Sequence, residues 1–483
     1  MPPLPEDSAP GPGCRGARSP AVLKSTPIRS PASGQATLAT VSLRAAPWIA
    51  AAAGITIVGL CFYPGQMSAD SIDQLRQARA GIFTDWHSPV MSWWWSCLDR
   101  VLPGPFGMLL FQNLLFWCGL AGILAGRLRP VTAGVLTLAI GLAPCCLGLL
   151  GTIWSDVGMG AALLLAVALI DRFGRTRSRV ALAGAALLLF YACAIRKNAA
   201  AAALPVVWWA GLVWRSEGKI VTARRVRRSA LPAILTVTLI FAGAQLVNRA
   251  LAGPHAMLQS QQLFLHDLAA ISVARKENFL PAYLRSGPTP VSLATLQKRY
   301  TSDSVDPLLF GDPPRVPLTT DRAHYAELRR QWWHQVVSQP AAYFRHRTAV
   351  MTATLGLTPE VVYPFHWGIN PNEFGYAMND TRWFRGVSRL LAAVKGTVFF
   401  RGWFFVLLGG TAVTIAWRRR AGLALTLALV GSGLTYIAPY YLISPAGDFR
   451  LIWWMVVAVL VALPISLGCP AACTASAGDG TTA

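Results

Sequence analysis

The chain has 483 residues and a formal net charge of +22, yet only 13% of its residues are charged and 54% are hydrophobic. A soluble globular chain carries about a quarter charged residues, so this composition excludes an ordinary soluble domain and indicates a membrane protein. The 18 tryptophans agree with that class, because Trp gathers at membrane interfaces. The basic residues lie in short clusters between apolar runs rather than on one basic face, so we expect no nucleic-acid partner.

Both ends of the chain are predicted to be tails. Residues 1–46 are rich in Pro, Gly, Ser and Ala and carry scattered basic residues, which is typical of a disordered basic segment. Residues 468–483 are likewise predicted to be unstructured. Between the tails we expect an N-terminal transmembrane module at 47–250, an extracytoplasmic domain at 251–396 and C-terminal transmembrane helices at 397–467.

Apolar runs long enough to cross a bilayer recur along the chain. A span needs about 20 mostly apolar residues, and this criterion predicts an all-α polytopic membrane protein with about ten transmembrane helices, within a range of roughly nine to twelve. The predicted spans are 47–63, 105–126, 131–149, 157–171, 180–195, 199–214, 230–250, 397–416, 421–438 and 451–467. The segment "HSPVMSWWWSCLDRVLPG" is too polar for a span, so we predict an interfacial or re-entrant helix with its tryptophans at headgroup depth.

The distribution of Lys and Arg predicts the orientation. Alternate connections are basic, for example at 172–179 and 418–420, and the positive-inside rule places them in the cytoplasm together with both termini. The other, extracytoplasmic side of the plasma (inner) membrane then receives the segments 64–88, 149–156, 195–198, 252–396 and 439–449. All seven histidines lie in these five segments, so the groups capable of chemistry are concentrated on one side.

The longest polar region, 252–396, is predicted to be mostly helical. The stretch "HYAELRRQWWHQVVSQPAAYFRHRTAVMTATLGL" has helical spacing, and Pro340 should divide it into two helices. No alternation typical of a β-sandwich is present.

The first outer loop, 64–88, is acidic and contains "MSADSIDQLRQARAGIFTDWHSPV". Asp70 and Asp73 have the spacing of a weak capping box, or Ser68 is the N-cap and Asp70 lies in the first helical turn. The functional alternative makes Asp70 a general base at a membrane-surface cleft. Asp85 and His87 are candidates for an acid–imidazole pair, and an isolated Asp-x-His is too weak a signal to predict a metal site.

Asp156 lies at the edge of a predicted span, in "TIWSDVG". An ionisable residue beside apolar sequence is costly to place, which favours a functional role. The alternative is that Asp156 is the N-cap of the span that begins at Val157.

Cations also occur on the predicted outer side. Two short spans meet at Arg196, Lys197 and Asn198. These residues are interpreted either as snorkelling anchors or as a phosphate-binding site. Asp448 and Arg450 begin the last span, where they can pair with each other or contribute to the same outer cleft. We take the three residues 196–198 and Arg450 as candidate donor-phosphate-binding residues.

The sequence lacks the motifs of a P-loop, a dinucleotide-binding turn and an H-E-x-x-H zinc protease. A group-transfer substrate for this chain must therefore arrive already activated.

The motifs "YPGQMSADSIDQLRQARAGIFTDWHSPVMSWWW", "TIWSDVG" and "IRKNA" resemble those of a group of bacterial multi-span proteins related to the GT-C superfamily of membrane glycosyltransferases. That superfamily includes protein O-mannosyltransferases and aminoarabinose transferases. The resemblance covers the first 250 residues best. It implies a polyprenyl-phosphate-linked sugar as donor, a glycan, lipid or protein as acceptor, and an active site that faces away from the cytoplasm.

By this resemblance, Asp70 corresponds to the acid of the first outer loop and Asp156 to an acid of the second. Arg196 and Lys197 correspond to the cations that hold the lipid phosphate. The adjacent acidic pair found in mannosyltransferases is absent, since only Asp73 and Asp85 follow Asp70. The alternatives to a glycosyltransferase are a transporter or lipid flippase, and a non-catalytic membrane protein of envelope assembly.

Overall fold

The computed structural model describes residues 32–215, 223–253, 255, 257–310 and 312–468. The chain divides into the units Met1–Leu43 and Arg44–Ala483, and the contacts given below lie within the second. The predicted tails lie largely outside the described residues. The first helix nevertheless begins at Ala32, ahead of the predicted start of the first span at residue 47.

The described part of the chain is all-helical, with 73% helix and no strands, as predicted. The helices are α1 (Ala32–Phe62), α2 (Ala69–Ala80), α3 (Pro89–Val101), α4 (Pro105–Ala125), α5 (Pro130–Gly141), α6 (Pro144–Leu150), α7 (Ser155–Thr176), α8 (Arg179–Ile195), α9 (Ala199–Arg215), α10 (Ala223–Ala252), α11 (Gln261–Arg275), α12 (Ala282–Arg285), α13 (Leu293–Arg299), α14 (Asp306–Leu309), α15 (Arg322–Ser338), α16 (Pro340–Thr354), α17 (Arg382–Val394), α18 (Gly402–Arg419), α19 (Leu423–Ile437), α20 (Tyr440–Ile443) and α21 (Trp453–Leu467). Short 3₁₀ turns occur at Val398–Phe400 and Phe449–Ile452.

Within the residues that the structure describes, six helical segments are long and apolar enough to cross a membrane, which supports the assignment to membrane proteins. They are Leu43–Phe62, Pro105–Ala125, Ser155–Thr176, Arg227–Ala252, Leu423–Ile443 and Phe449–Leu467. Two shorter apolar helices, α8 and α9, accompany them.

The segment predicted as one span at 131–149 is instead a bent pair, with α5 and α6 inclined by 66°. Pro144 occupies the first turn of α6, where its missing N–H is tolerated, but it could not continue α5 because its ring clashes with the preceding turn. Trp453 of α21 donates from Nε1 to the carbonyl oxygen of Cys145 at 3.1 Å, which fixes α6 against the last helix.

Trp117 of α4 packs between two glycines on neighbouring helices. Its fully buried ring occupies the space that a Cβ atom would need at Gly54 of α1 and at Gly141 of α5. The small residues therefore let three helices approach around one indole.

We expect Gly54→Ala to destabilise the protein by about 1–3 kcal/mol, because the added methyl group overpacks against Trp117. Gly59→Ala on the same helix is the matched control, since no atom lies within 4 Å of the position that its Cβ would take. Thermal melting of the purified protein in detergent, followed by Trp fluorescence, should show a lower Tm for Gly54→Ala alone. Equal melting temperatures for the two variants would contradict this packing.

At one end of the helical bundle, three loops that are distant in sequence are joined by backbone hydrogen bonds. Gln66 donates to the carbonyl oxygen of Gly151 at 2.8 Å, and Met67 donates to that of Gly368 at 3.1 Å. Asn370 donates in turn to the carbonyl oxygen of Met67 at 2.9 Å. The loop before α2 is therefore held between the loop before α7 and a segment of the long polar region.

The polar region has its own core, built from residues of α11 to α15 and their connections. Pro340 divides α15 from α16 as predicted. Within this region, Arg347 of α16 is fully buried and bonded to the carboxylate of Asp267. Arg347 also donates to the carbonyl oxygen of Ser444 at 2.7 Å, and Trp332 donates to Asp267 at 2.7 Å. This cluster connects the polar region to the segment between α20 and α21.

The opposite end of the bundle carries the basic connections. Asp171 at the end of α7 is fully buried and is paired with Arg127 and Arg175. Arg177 donates to the carbonyl oxygen of Val213, and Arg419 donates to that of Leu467. The basic clusters that the sequence assigns to one side therefore meet at one end.

Candidate active site

Asp70 lies in the first turn of α2, after Ser68 at the N-cap position. The Ser68 hydroxyl makes no capping bond and instead accepts from Trp154 Nε1 at 2.8 Å. Because the N-cap is Ser68 and not Asp70, the capping-box alternative is wrong. Asp73 accepts from Arg76 at 2.9 Å instead, and the Asp70 side chain makes other contacts.

Arg450 connects two carboxylates. Its Nη1 donates to Asp70 Oδ2 at 2.8 Å, and its Nε donates to Asp448 Oδ2 at 3.0 Å. The guanidinium lies over the Trp154 ring, 4.8 Å from the centroid. Arg450 was predicted to bind a donor phosphate, but here it is already engaged by two carboxylates, which would compete with such a ligand.

These groups line a cavity of about 1050 Å³ at this end of the bundle. That volume is at the upper end of the roughly 300–1,000 Å³ typical of small-molecule sites. Aromatic and apolar walls come from Trp154, Tyr363 and Val361. The charged groups of the lining are five carboxylates and one guanidinium, from Asp70, Asp303, Asp306, Glu360, Asp448 and Arg450. The cavity is therefore acidic.

The two carboxylates bound to Arg450 have different proton affinities. Burial opposes ionisation of Asp70, but the positive charges of Arg450, His87 and Arg196 outweigh it and lower its pKa to about 2. The side chain of Asp70 remains 40% exposed towards the cavity. Burial raises the pKa of Asp448 to about 6 despite the opposing charge of Arg450. Pairs of carboxylates separated in this way are typical of acid–base chemistry.

Asp156 lies outside this cavity, in a buried cluster of its own. Its carboxylate, 1% exposed, is paired with Arg196 and accepts from the Tyr436 hydroxyl at 3.2 Å. α7 begins at Ser155, so Asp156 lies in the first turn and is not the N-cap. The charge of Arg196 contributes to the lowered pKa of Asp70, so the two clusters are coupled electrostatically.

Asp85 and His87 do not form the predicted acid–imidazole pair. Asp85 accepts from the backbone N–H of Met257, whereas His87 Nε2 lies 3.6 Å from Asp73 Oδ2. Burial lowers the pKa of His87, and the negative charges of Asp70 and Asp73 oppose this only in part. Each of the two residues thus has a partner other than the one predicted.

In the segment predicted to bind phosphate, the charge of Arg196 is matched by its pairing with Asp156. Lys197 is exposed, and the Arg196 Nε atom is buried without a hydrogen-bond partner among the described residues. Lys197 and Arg196 therefore have donors to offer a ligand, whereas the Asn198 side chain interacts with the Tyr440 hydroxyl.

Two residues of the site were not among the predicted ones. Asp448 was considered as a partner of Arg450 or as a contributor to the outer cleft, but it was not taken as a candidate catalytic residue. His366 is hydrogen-bonded to Met67 O (3.1 Å) and to Tyr363 Oη (2.6 Å), and its ring packs on Trp154 at 6.0 Å. It holds the loop before α2 in place. The aromatic segment "VYPFHWGIN" was the only sequence signal for it.

The described residues contain no group of three or more His, Cys, Asp or Glu side chains that could hold a metal ion. The fold and the site are thus those of an all-helical protein, consistent with a membrane protein, with an acidic cavity at one end of its bundle. Comparisons with protein-family models, curated proteins and solved structures found no match to the chain.

Proposed function

We propose that the chain is a GT-C-like membrane glycosyltransferase, which transfers a sugar from a polyprenyl-phosphate-linked donor to a glycan, lipid or protein acceptor outside the cytoplasm. The observation that carries the proposal is the cavity in which Arg450 holds Asp70 and Asp448 beside the Trp154 ring. The cavity combines this polar centre with Tyr363, an exposed aromatic residue of its lining that is suited to stacking on a sugar face.

The proposal includes ten spans in the plasma membrane. These are the six long segments, the bent pair α5–α6, the short helices α8 and α9, and α18. Connections between successive members lie at alternate ends of the bundle, and the end with the basic clusters would face the cytoplasm. Both termini would then be cytoplasmic, and the acidic cavity and the 251–396 domain would be extracytoplasmic.

The proposed reaction is a single displacement that inverts the anomeric centre. The acceptor hydroxyl oxygen forms a bond to the anomeric carbon, its proton passes to Asp448, and the bond to phosphate oxygen breaks with its electron pair. Asp70 stays ionised and stabilises positive charge that develops on the sugar. Lys197 and Arg196, at the adjacent cluster, would stabilise the phosphate that leaves.

One observation favours a second candidate, a transporter or lipid flippase. The break between α5 and α6 resembles the discontinuous helices that line substrate sites in transporters. The two candidates differ in their product: a transferase forms a new glycosidic bond, and a flippase changes only the leaflet of its lipid.

The test is transfer of radiolabelled sugar from polyprenyl-phosphate donors by the purified protein in proteoliposomes. We expect transfer by wild type and a loss of about 10²–10⁴-fold for Asp70→Asn, the range typical of a positioned catalytic group. Asp73→Asn, one turn along α2, is the matched control and should keep most of the activity. Equal transfer by wild type and Asp70→Asn would remove Asp70 from the mechanism. Lipid translocation without transfer would favour the flippase.

A further inference from the structure

Helix α17 is strongly amphipathic. The Thr381 hydroxyl caps it by accepting from the Phe384 N–H at 3.1 Å. With 3.6 residues per turn, its apolar residues fall on one face and its arginines on the opposite face. The apolar face comprises Trp383, Phe384, Val387, Leu390, Leu391 and Val394, and the basic face comprises Arg382, Arg385 and Arg389.

Only half of the apolar face is covered by protein. Leu391 is buried where α17 packs on α6, and Phe384 and Val394 contact the main core. Trp383 and Leu390 lie about a quarter turn around the helix from Leu391. Their side chains remain 49% and 48% exposed, so an apolar strip lacks a partner within the described chain.

Further exposed apolar side chains follow α17 in the sequence. Val398 and Phe399 are exposed in the turn that follows α17, and Leu407 of α18 is exposed as well. α18 is an apolar helix that packs on α19 and α21, which both belong to segments long enough to span. The uncovered strip of α17 is thus followed directly by an apolar helix whose exposed side would face lipid.

The basic face is available to an anion. Arg382 and Arg389 form no ion pair with any acid among the described residues, and the guanidinium of Arg382 lies 4.8 Å from the Trp383 ring centroid. Arg385 is paired only with the exposed Asp380, at 2.8 Å. An exposed ion pair of this kind contributes little to stability, so a phosphate can replace it at little cost.

We propose that α17 is an in-plane membrane anchor that binds anionic phospholipids, with Trp383 and Leu390 among the acyl chains and the three arginines at the phosphates. An apolar face opposite a basic face is the pattern of interfacial helices, and anionic headgroups supply the matching charge. This assignment does not depend on the proposed transfer reaction. It gives the segment that follows the His366 loop a fixed place at the bilayer surface.

The first test measures lipid binding to the delipidated full-length protein by native mass spectrometry, with phosphatidylglycerol and phosphatidylcholine as probes. Arg382→Gln/Arg385→Gln/Arg389→Gln should weaken phosphatidylglycerol binding at least about fivefold and leave phosphatidylcholine unchanged, because the headgroup charge loses its partners. The matched control removes three other exposed arginines: Arg329→Gln/Arg330→Gln/Arg345→Gln. Equal loss in both triple variants would show a general charge effect and overturn the site.

The second test measures depth in vesicles of three parts phosphatidylcholine to one part phosphatidylglycerol. Nitroxide labels are placed at Leu390→Cys and at Ala392→Cys, in a background that lacks the native cysteines. Ala392 is exposed and lies about 160° around the helix from Leu390, on the polar side. The nitroxide at Leu390→Cys should be relaxed mainly by oxygen. The nitroxide at Ala392→Cys should be relaxed mainly by a water-soluble nickel chelate. Equal accessibility at the two positions would contradict in-plane insertion.

Discussion

Replacing Asp448 by asparagine is expected to reduce sugar transfer at pH 7 by about 10²–10⁴-fold, because the proposed proton acceptor is removed. Asparagine keeps the shape of the side chain and an oxygen that can accept from Arg450 Nε, so the local structure should persist. The effect should therefore appear in the rate of transfer rather than in folding.

The same variant should lose a specific pH dependence. Burial raises the pKa of Asp448 to about 6, with the charges of Asp306 and Asp70 adding to the shift and Arg450 opposing it. Below this pKa the carboxyl is protonated and cannot accept a proton, so wild-type transfer should rise as the pH increases from about 5 to about 7. Asp70, with a pKa of about 2, stays ionised throughout this range and contributes no change.

The control is a comparison of pH profiles for wild type, Asp448→Asn and Asp73→Asn at matched protein levels. His87 and His366 also have lowered pKa values because both are buried, and both remain in all three proteins. Only Asp448→Asn should lack the step near pH 6. A step that persists in this variant would assign the proton transfer to another group.

Arg347→Met should destabilise the protein by about 3–5 kcal/mol, because it leaves the buried carboxylate of Asp267 without its cation. Both side chains are fully buried, and the guanidinium also bonds to the Ser444 carbonyl oxygen. Burial already raises the pKa of Asp267 to about 6 in the presence of Arg347.

The measurement is a double-mutant cycle on the Tm of the purified protein. Arg347→Met/Asp267→Leu should recover much of the loss, since replacing a buried ion pair by apolar groups is often close to neutral. Arg345→Gln, exposed on the same helix, is the matched control. An unchanged Tm for Arg347→Met would contradict a structural role for the pair.

The pH dependence of Arg347→Met follows from the direction of the Asp267 shift. A carboxyl whose pKa is higher in the folded than in the unfolded state binds more protons when folded, so stability falls as the pH rises through the folded pKa. Without Arg347 this pKa rises further. The stability deficit of the variant should accordingly be smaller at pH 5 than at pH 8.

Much of the fold could be predicted because it depends on local sequence. Long apolar runs predict membrane helices, and the ten predicted spans coincide with helices or, at 131–149, with a bent pair. Pro340 divides α15 from α16 because proline cannot donate the backbone hydrogen bond that a continuous helix needs. The break at Pro144 has the same physical origin, but the apolar composition of the segment concealed it.

The candidate site could be predicted only in part. One of the two alternatives for Asp70, the first turn of α2 after Ser68 at the N-cap position, is the one observed, since helix starts have local signals. Its partner Arg450 lies 380 residues further along the chain, and no local pattern relates the two. The expected pairing of Asp85 with His87 failed because Met257 and Asp73, from other parts of the fold, are better placed.

The amino-acid sequence alone therefore determined that the chain is all-helical, with apolar helices able to span a membrane, because apolar length and helix caps are local properties. Only the tertiary structure decided which charges meet. It paired Asp156 with Arg196 in a buried cluster and left Asp70, Arg450 and Asp448 around an acidic cavity. The reason is that burial raises the cost of every unpaired charge, so packing selects the partners that neutralise one another at close range.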